Sequence, residues 1–347
     1  MWLVSLRDLQ FRSRRFVIAV LVTALVFGIA LAIDSMRRAV QDETPAIVAV
    51  FGADHWLVAE GATGPFTASH VLASSAQDDV RALPGVQQAD AVVISRSVIA
   101  GDKPKDVNLI GHAVGGLGSP PISEGRAIAG AGETVVSDGI TTKVGDQVVV
   151  GGSTFTIVGK TREGRYFFGV PSVFVSLADA QTVAFKGQPL AMGIAVKGAD
   201  GAPPGMTVVT NAQVGADLDR PLAAGMQSVV IMATLMWLIA AGIIGLIVYL
   251  SAIERNRDFA VLKATGAPTR IIVGGLMIQA VLVAVLAAVL SLVTGRLVAT
   301  TMPVPTSITT AAFLQLLGIA VVVGVLASLA GVRSALSTDP ALAFGGR

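Results

Sequence analysis

Four long stretches without a charged side chain constrain this chain more than any other feature of its sequence. They cover residues 16–33, 221–253, 271–295 and 297–332. A helix needs about 20 residues to cross a hydrocarbon core of about 30 Å, and each stretch can supply them, the first only just. Only 14% of the residues are charged, against about 25% in an ordinary soluble domain, so lipid is expected to be part of the solvent.

The residues between the first two stretches have the composition of a soluble domain. Residues 34–220 hold 19 of the 23 acidic residues and 14 of the 25 Lys and Arg residues. β-branched runs bounded by Gly, Pro or Asp predict strands, and two segments predict helices. The strands are expected at 91–99, 107–114, 147–150, 154–160 and 172–176, with a hairpin at 151–153, and the helices at 69–83 and 177–184.

The predicted fold is therefore a membrane protein with four transmembrane α-helices, one and then three, and a large mixed α/β extracytoplasmic domain between helices 1 and 2. The predicted parts are an amphipathic N-terminal helix (1–15), the first span (16–33), the extracytoplasmic domain (34–225), the second span (226–253), a cytoplasmic helix (254–270), the third span (271–295), an outer loop (296–310), the fourth span (311–332) and a cytoplasmic tail (333–347).

The distribution of Lys and Arg predicts the orientation, because basic residues near span ends stay in the cytoplasm. Four arginines precede the first span and four basic residues lie within 254–270, whereas the loop 296–310 holds Arg296 alone. Arg37 and Arg38 oppose the rule locally. Both termini and the loop 254–270 are expected in the cytoplasm of a bacterial plasma (inner) membrane. Two alternatives stay open: residues 1–33 as a cleaved signal peptide, and residues 1–15 as a basic flank that only sets topology.

No residue pattern predicts a catalytic, cofactor-binding or metal site on this chain. The sequence contains no GxxxxGK[ST], HExxH or GxSxG motif and no cysteine. His55, His70 and His112 are far apart in sequence, unlike the short spacings of zinc ligands. The absence of a charge in the middle of any span argues against an ion-coupled transporter, and no basic patch suggests nucleic acid.

Small residues recur at helical spacing in the second and fourth spans. Ala241 with Gly245, and Ala320 with Gly324 and Ser328, would let helices approach closely in lipid. The alternative is ordinary alanine and glycine background in an alanine-rich chain.

The loop 254–270 is the most informative segment. Phe259 and Leu262 share one helical face at a spacing of three, with charged residues around them. Gly266 is expected to end the helix as a C-cap, and Pro268 prevents its continuation. A short amphipathic helix between two spans can receive force from a soluble partner. The alternative is a basic loop that only fixes topology.

At this loop the sequence resembles a known family. ERNRDFAVLKATG, residues 254–266, is similar to the signature that follows the second span in MacB/FtsX/LolC-type ABC permeases, with Asp258 where the family usually has Glu. STDPALAF in the tail resembles the family's closing motif, with Asp339 and Pro340 kept. Residues 145–159 resemble part of the family's extracytoplasmic core domain, and WLVSLRDLQFRSRR, residues 2–15, looks like the DevC-like branch.

The resemblance implies a dimer of permease chains, as a homodimer or a related heterodimer, with ABC ATPase subunits that hold ATP and Mg. Mechanotransmission would then drive export of a lipophilic compound, peptide or lipid. The implied ATPase-docking residues are Glu254, Arg255, Arg257, Asp258, Phe259, Leu262, Lys263 and Gly266.

Other readings remain at this point. One is an FtsX-like regulator whose outer domain binds a cell-wall hydrolase or another extracytoplasmic adaptor without transport. A membrane-anchored sensor without an ATPase is a further alternative.

Overall fold

A computed structural model describes residues 13–67, 70–164, 169–254, 261, 265, 268–300 and 309–336. The chain divides into two compact units. One consists of residues 1–39 and 226–347 and is called the membrane unit below; the other consists of residues 40–225 and is called the outer unit.

Four of the helices in the described part of the chain are long and apolar enough to cross a membrane. The helices are α1 (Ser13–Val50), α2 (Ala76–Arg81), α3 (Leu177–Phe185), α4 (Asn211–Glu254), α5 (Thr269–Ala299) and α6 (Thr310–Leu336). The four spanning candidates are Phe16–Val50, Gly225–Glu254, Val273–Ala299 and Thr310–Leu329. The one-then-three arrangement predicted from the sequence is confirmed.

Helix α1 continues to Val50, well past residue 33, where the sequence predicts the end of the first span. Pro45 lies inside this helix, although proline removes a backbone donor and usually ends a helix. The extension is stabilised by packing in the outer unit, because Ile47 and Val48 are buried in one cluster with Trp56.

The outer unit is a mixed sheet with short helices. Its strands are β1 (His55–Ala59), β2 (Leu72–Ala73), β3 (Val86–Ile99), β4 (Lys105–His112), β5 (Glu124–Gly125), β6 (Glu133–Ser137), β7 (Gln147–Val150), β8 (Ser153–Thr161), β9 (Ser172–Ser176), β10 (Leu190–Ala191), β11 (Gly193–Gly198) and β12 (Met206–Thr210). Ten of them form one sheet in the order β12-β1-β11-β3-β4-β9-β6-β8-β5, with β7 pairing with β3 and β8. The pairs β4–β9 and β6–β8 are parallel, and the other pairs in this sheet are antiparallel.

The predicted strands are confirmed, as is the hairpin, in which Val150 pairs with Ser153 across Gly151 and Gly152. The helix predicted at 177–184 is α3. The helix predicted at 69–83 is wrong over Leu72–Ala73, which form β2 and pair with Leu190–Ala191. Helix α2 is correspondingly shorter and ends at Arg81.

The central strands are buried on both faces, which explains their continuous apolar runs. Along β3, Val92 and Ile94 pack with Trp56, whereas Val93 packs on the opposite face with α3 residue Ala180. The same alternation places Phe174 of β9 in the first cluster and its neighbours in the second.

Glycines bring the helices of the membrane unit close together. A Cβ on Gly324 of α6 would lie 3.0 Å from Val281 Cα of α5. A Cβ on Gly245 of α4 would lie 3.4 Å from the Ala327 carbonyl oxygen of α6. Both glycines belong to the small-residue rows noted in the sequence, so these two positions are packing contacts and not alanine and glycine background.

Candidate functional site

The loop predicted to dock a partner is described only in part. Helix α4 ends at Glu254. The Thr265 N–H donates to the Val261 carbonyl oxygen at 3.0 Å, one helical turn away, and Val261 is exposed. The other predicted docking residues lie outside the described residues, as do the tail residues Asp339 and Pro340. The predicted docking residues that lie outside the described part of the chain are Arg255, Arg257, Asp258, Phe259, Leu262, Lys263 and Gly266.

Helix α5 starts at Thr269, two residues before the third span predicted from 271, and Pro268 is its N-cap. The Pro268 backbone is extended, with φ −67° and ψ 138°. Proline has no N–H and a fixed φ, so the turn into the third span is stiff. The loop is therefore bounded by helix ends at both sides.

A buried hydrogen bond joins the two helices that carry the loop. Gln279 of α5 donates from Nε2 to Ser251 Oγ of α4 at 3.1 Å. Ser251 lies three residues before Glu254, the last residue of α4. Polar contacts between spans hold helices together where the hydrophobic effect does not, so α4 and α5 are fastened to each other beside the loop.

Helices α1 and α5 touch backbone to backbone. A Cβ on Gly28 would lie 2.2 Å from Thr294 Oγ1 and 2.9 Å from the Gly295 nitrogen. Thr294 Oγ1 donates to the Ala24 carbonyl oxygen at 2.8 Å. Only glycine fits at residue 28, so the first and third spans are locked together at this level.

A charged cluster connects α1 with α6. The Asp34 carboxylate accepts from Arg37 Nη2 at 2.9 Å and from Arg38 Nε at 2.7 Å. Arg38 also donates to the Gln315 side-chain oxygen on α6. Arg38, which together with Arg37 stood out in the sequence only because the pair opposes the orientation rule, therefore links α1 to α6.

In the outer unit, the end of α1 and the start of α4 are tied together and to the sheet. Thr44 Oγ1 donates to Asp219 Oδ1 at 2.6 Å. Asn211 donates from Nδ2 to the Ala53 carbonyl oxygen at 2.8 Å and accepts from Trp56 Nε1 at 3.0 Å. The Asn211 bonds attach the first residue of α4 beside β1, and the Thr44 bond joins α4 to α1.

Asp217 of α4 is the most heavily bonded buried carboxylate described in the outer unit. It is 2% exposed and accepts from the Phe66 and Thr67 backbone N–H groups at 2.9 and 3.0 Å. It also accepts from the hydroxyls of Thr63, at 2.8 Å, and Thr67. One loop between β1 and β2 therefore surrounds this side chain.

His112 ends β4 and is almost completely buried. Its Nδ1 lies 2.8 Å from the Ala113 carbonyl oxygen, so Nδ1 carries the proton and donates. Nε2 has no hydrogen-bond partner among the described residues. Burial lowers the pKa of His112, against the smaller opposing effects of the Ala113 carbonyl and the Asp90 carboxylate.

Arg126 and Glu133 form an ion pair on the surface of the outer unit. Arg126 Nη1 donates to Glu133 Oε2 at 2.8 Å, and Nη2 donates to the other oxygen. The Ala129 N–H also donates to Oε2, at 2.8 Å. These bonds, the arginine first, lower the pKa of Glu133 to about 2.

Among the described residues, no three His, Asp or Glu side chains lie together as a metal ion would require. His55 Nδ1 lies 3.0 Å from Asp200, while the His112 ring lies beside Phe174. The structure does not bring the histidines together.

The sequence predicted neither Asp217 nor Gly28 as important. Gly28 is visible in the sequence as a glycine in an apolar span. The residues that it contacts, Thr294 and Gly295, lie on another helix, so the sequence does not show why glycine is needed there. Asp217 precedes a span and resembles an ordinary polar flank. The backbone groups that donate to its carboxylate lie about 150 residues earlier in the chain. The spacing of neighbouring residues therefore gives no indication of these contacts.

The sequence matches two family models. Residues 17–208 match the MacB-like periplasmic core domain, and residues 230–340 match the FtsX-like permease C-terminal domain. An uncharacterized ABC transporter permease of Mycobacterium bovis and one of Mycobacterium tuberculosis are each 39% identical over 348 residues, covering 100% of both chains. A second such permease of Mycobacterium tuberculosis is 36% identical over the same length, again with full coverage.

Two solved structures are also similar. The extracellular domain of the noncanonic ABC-type transporter YknZ from Gram-positive bacteria covers 45% of this chain and 99% of its own, at 15% identity and a TM-score of 0.35. The periplasmic region of MacB from Actinobacillus actinomycetemcomitans covers 50% of this chain and 95% of its own, at 11% identity and a TM-score of 0.36.

Proposed function

The chain belongs to the family of FtsX-like and MacB-like ABC transporter permeases, and we propose that it couples ATP hydrolysis on a separate ATPase subunit to work by its outer unit. As an ABC transporter permease it acts in a membrane together with an ABC ATPase.

The docking site in this proposal is the loop 254–270. Its charged residues and its two apolar residues Phe259 and Leu262 provide the contacts, and the ATPase binds ATP and Mg. The observation that carries the proposal is the Gln279–Ser251 hydrogen bond beside the loop. A loop that receives force transmits it only if the two helices at its ends move as one body, and this bond joins them.

Helix continuity supports mechanotransmission. Helices α1 and α4 each contribute residues to both units without a break in the helix. Movement of either helix at its membrane portion therefore has a direct covalent route into the outer unit. The work we propose is export of a lipophilic compound, peptide or lipid, carried out by two permease copies.

Charge reversal in the loop tests the docking. We expect the double variant Arg257→Glu/Asp258→Lys to lose stimulation of the co-purified ATPase while inserting normally into membranes. Arg296→Glu, a reversal in the last turn of α5, is the matched control and should retain stimulation. Wild-type stimulation by the double variant would contradict docking at this loop.

The orientation has its own test. The chain has no cysteine, so Asn256→Cys and Asp200→Cys each give a single labelling site. A membrane-impermeant maleimide on intact cells should label the cysteine at 200, an exposed side chain of the outer unit, and spare the one at 256. Labelling at 256 would overturn the proposal.

A transport assay separates export from regulation. Reconstituted permease and ATPase should move a lipophilic cargo in an ATP-dependent manner. ATPase activity that instead responds to a secreted cell-wall hydrolase, without any cargo movement, would favour the regulatory alternative.

A further inference from the structure

The loop Thr63–Thr67 has the chemistry of an anion-binding site. Two successive backbone N–H groups, of Phe66 and Thr67, and two threonine hydroxyls point at the same carboxylate, that of Asp217. Successive N–H groups in a turn form a concave nest for anions. The oxygens of a carboxylate or a phosphate fit such a set of donors, because those oxygens only accept.

Two further contacts fit the loop to an anion. A Cβ on Gly64 would lie 2.5 Å from the Asp217 carboxyl group, so glycine at this position makes room for the charge. Arg220 donates to Thr63 Oγ1 at 2.9 Å. Because a guanidinium cannot accept, the Thr63 hydroxyl proton is directed towards Asp217.

The ligand of this loop is carried by a different element. Asp217 lies on α4, which continues into the second span, whereas the loop belongs to the segment between β1 and β2. The loop also lies at the surface: Thr63 is exposed, and Phe66 and Thr67 are half-buried. If α4 withdraws Asp217, the donors meet solvent.

We propose that the loop Thr63–Thr67 is a carboxylate- or phosphate-binding site that Asp217 occupies as a built-in ligand. While α4 keeps its present position the site is closed. Displacement of α4 removes Asp217 and leaves the site to an anionic group from the extracytoplasmic solution. The closed site rests on the contacts described above, and its opening during an ATP cycle rests on the proposed function.

Anion rescue in the full chain tests the site. In Asp217→Ala, hydrogen exchange at the Phe66 and Thr67 amides should accelerate at least about tenfold, the equivalent of about 1.4 kcal/mol. Acetate or inorganic phosphate should restore protection saturably, and chloride at equal ionic strength should not. Asp219→Ala, which removes a carboxylate bonded to Thr44 instead, should leave both amides protected. Unchanged exchange in Asp217→Ala, or protection that acetate and phosphate fail to restore, would overturn the proposal.

A second variant keeps the carboxylate and displaces it. Gly64→Ala places a methyl group against Asp217 and should also accelerate exchange at the two amides. Gly225→Ala, where a Cβ meets nothing within 4 Å, is the matched control. Exchange in Gly64→Ala that equals the control would count against the site even if Asp217→Ala fails to fold.

The ATP-dependent step can fail separately from the proposed function. While the bound ATPase hydrolyses ATP, acetate should change the rate of hydrogen exchange at the Phe66 and Thr67 amides of the wild-type chain. A stimulated ATPase without that change would overturn the opening while leaving the coupling intact. Failure of the permease to stimulate any ATPase would instead remove the proposed function and leave the acetate rescue standing.

Discussion

Gln279 and Ser251 share a hydrogen bond of 3.1 Å that joins the third span to the second beside the loop between them. Both side chains are nearly buried, and Ser251 lies three residues before the last residue of α4. Its position makes it a direct test of whether the loop and its two helices act as one body.

Gln279→Leu removes the donor and leaves the Ser251 hydroxyl without this partner. Interhelical hydrogen bonds in membranes contribute about 0.6 kcal/mol on average and at most about 1.7, so we expect a small loss of stability in detergent unfolding. The stimulation of the ATPase should fall by a larger fraction than the free energy of unfolding does. Ser328→Ala is the control, since Ser328 donates only to Val325 of its own helix.

Equal losses in the Gln279 variant and in the Ser328 control would show that the bond has no special role. Wild-type ATPase stimulation by Gln279→Leu would contradict a coupling function for this contact.

Gly28→Ala should separate the first and third spans. The added methyl group would meet Thr294 Oγ1 at 2.2 Å, and overpacking of this kind costs about 1–3 kcal/mol. Steric-trapping or detergent unfolding measures the loss. Gly274→Ala, where a Cβ meets nothing within 4 Å, should be neutral, and equal stability of the two variants would refute the close contact.

The sequence predicted the elements whose signals are local. The strands Gln147–Val150 and Ser172–Ser176 have the predicted bounds, because each is a short β-branched run stopped on both sides by turn residues or a helix cap. The four spans were also predictable, since length and apolarity alone decide them.

The failures have a common physical cause. Leu72–Ala73 form a strand instead of the predicted helix because they pair with Leu190–Ala191, more than a hundred residues away. Helix α1 passes Pro45 because Ile47 and Val48 are buried in the outer unit. Likewise, the closed contact at Asp217 depends on partners that only the folded chain brings together. Tertiary contacts outweighed local preference in each case.

Acidification should weaken the outer unit through His112. Burial lowers the pKa of His112 in the folded chain, so between about pH 6.5, its ordinary value, and the lower folded value the unfolded chain binds more protons. Stability therefore falls as the pH drops through that window. Hydrogen exchange of β4 amides as a function of pH measures it.

His112→Gln should flatten this pH dependence, whatever its effect on stability at neutral pH. A variant with the wild-type slope would show that another group is responsible.

A second acid transition should come from Glu133. Its pKa of about 2 in the folded chain lies below the ordinary value of about 4.3. The stabilising contribution is therefore complete above about pH 4.3 and is lost as the pH falls towards 2. Exchange at the β6 amides between pH 5 and pH 2 should show the loss.

Glu133→Gln should remove that acid-dependent loss, because the amide carries no titrating charge. Glu124→Gln, next to Lys160 at 3.8 Å, is a control of the same charge change. Identical acid profiles for the wild type and Glu133→Gln would exclude the Arg126–Glu133 pair as the source.

The contact at Gly28 and Gly295 also determines how α1 can tilt relative to α5. Two helices that touch at one level cannot change their separation there, so that level behaves as a fulcrum. A displacement of α1 towards α5 on one side of the fulcrum becomes a displacement away from it on the other. Inward motion near residue 16 would then appear as outward motion at Asp34 and beyond.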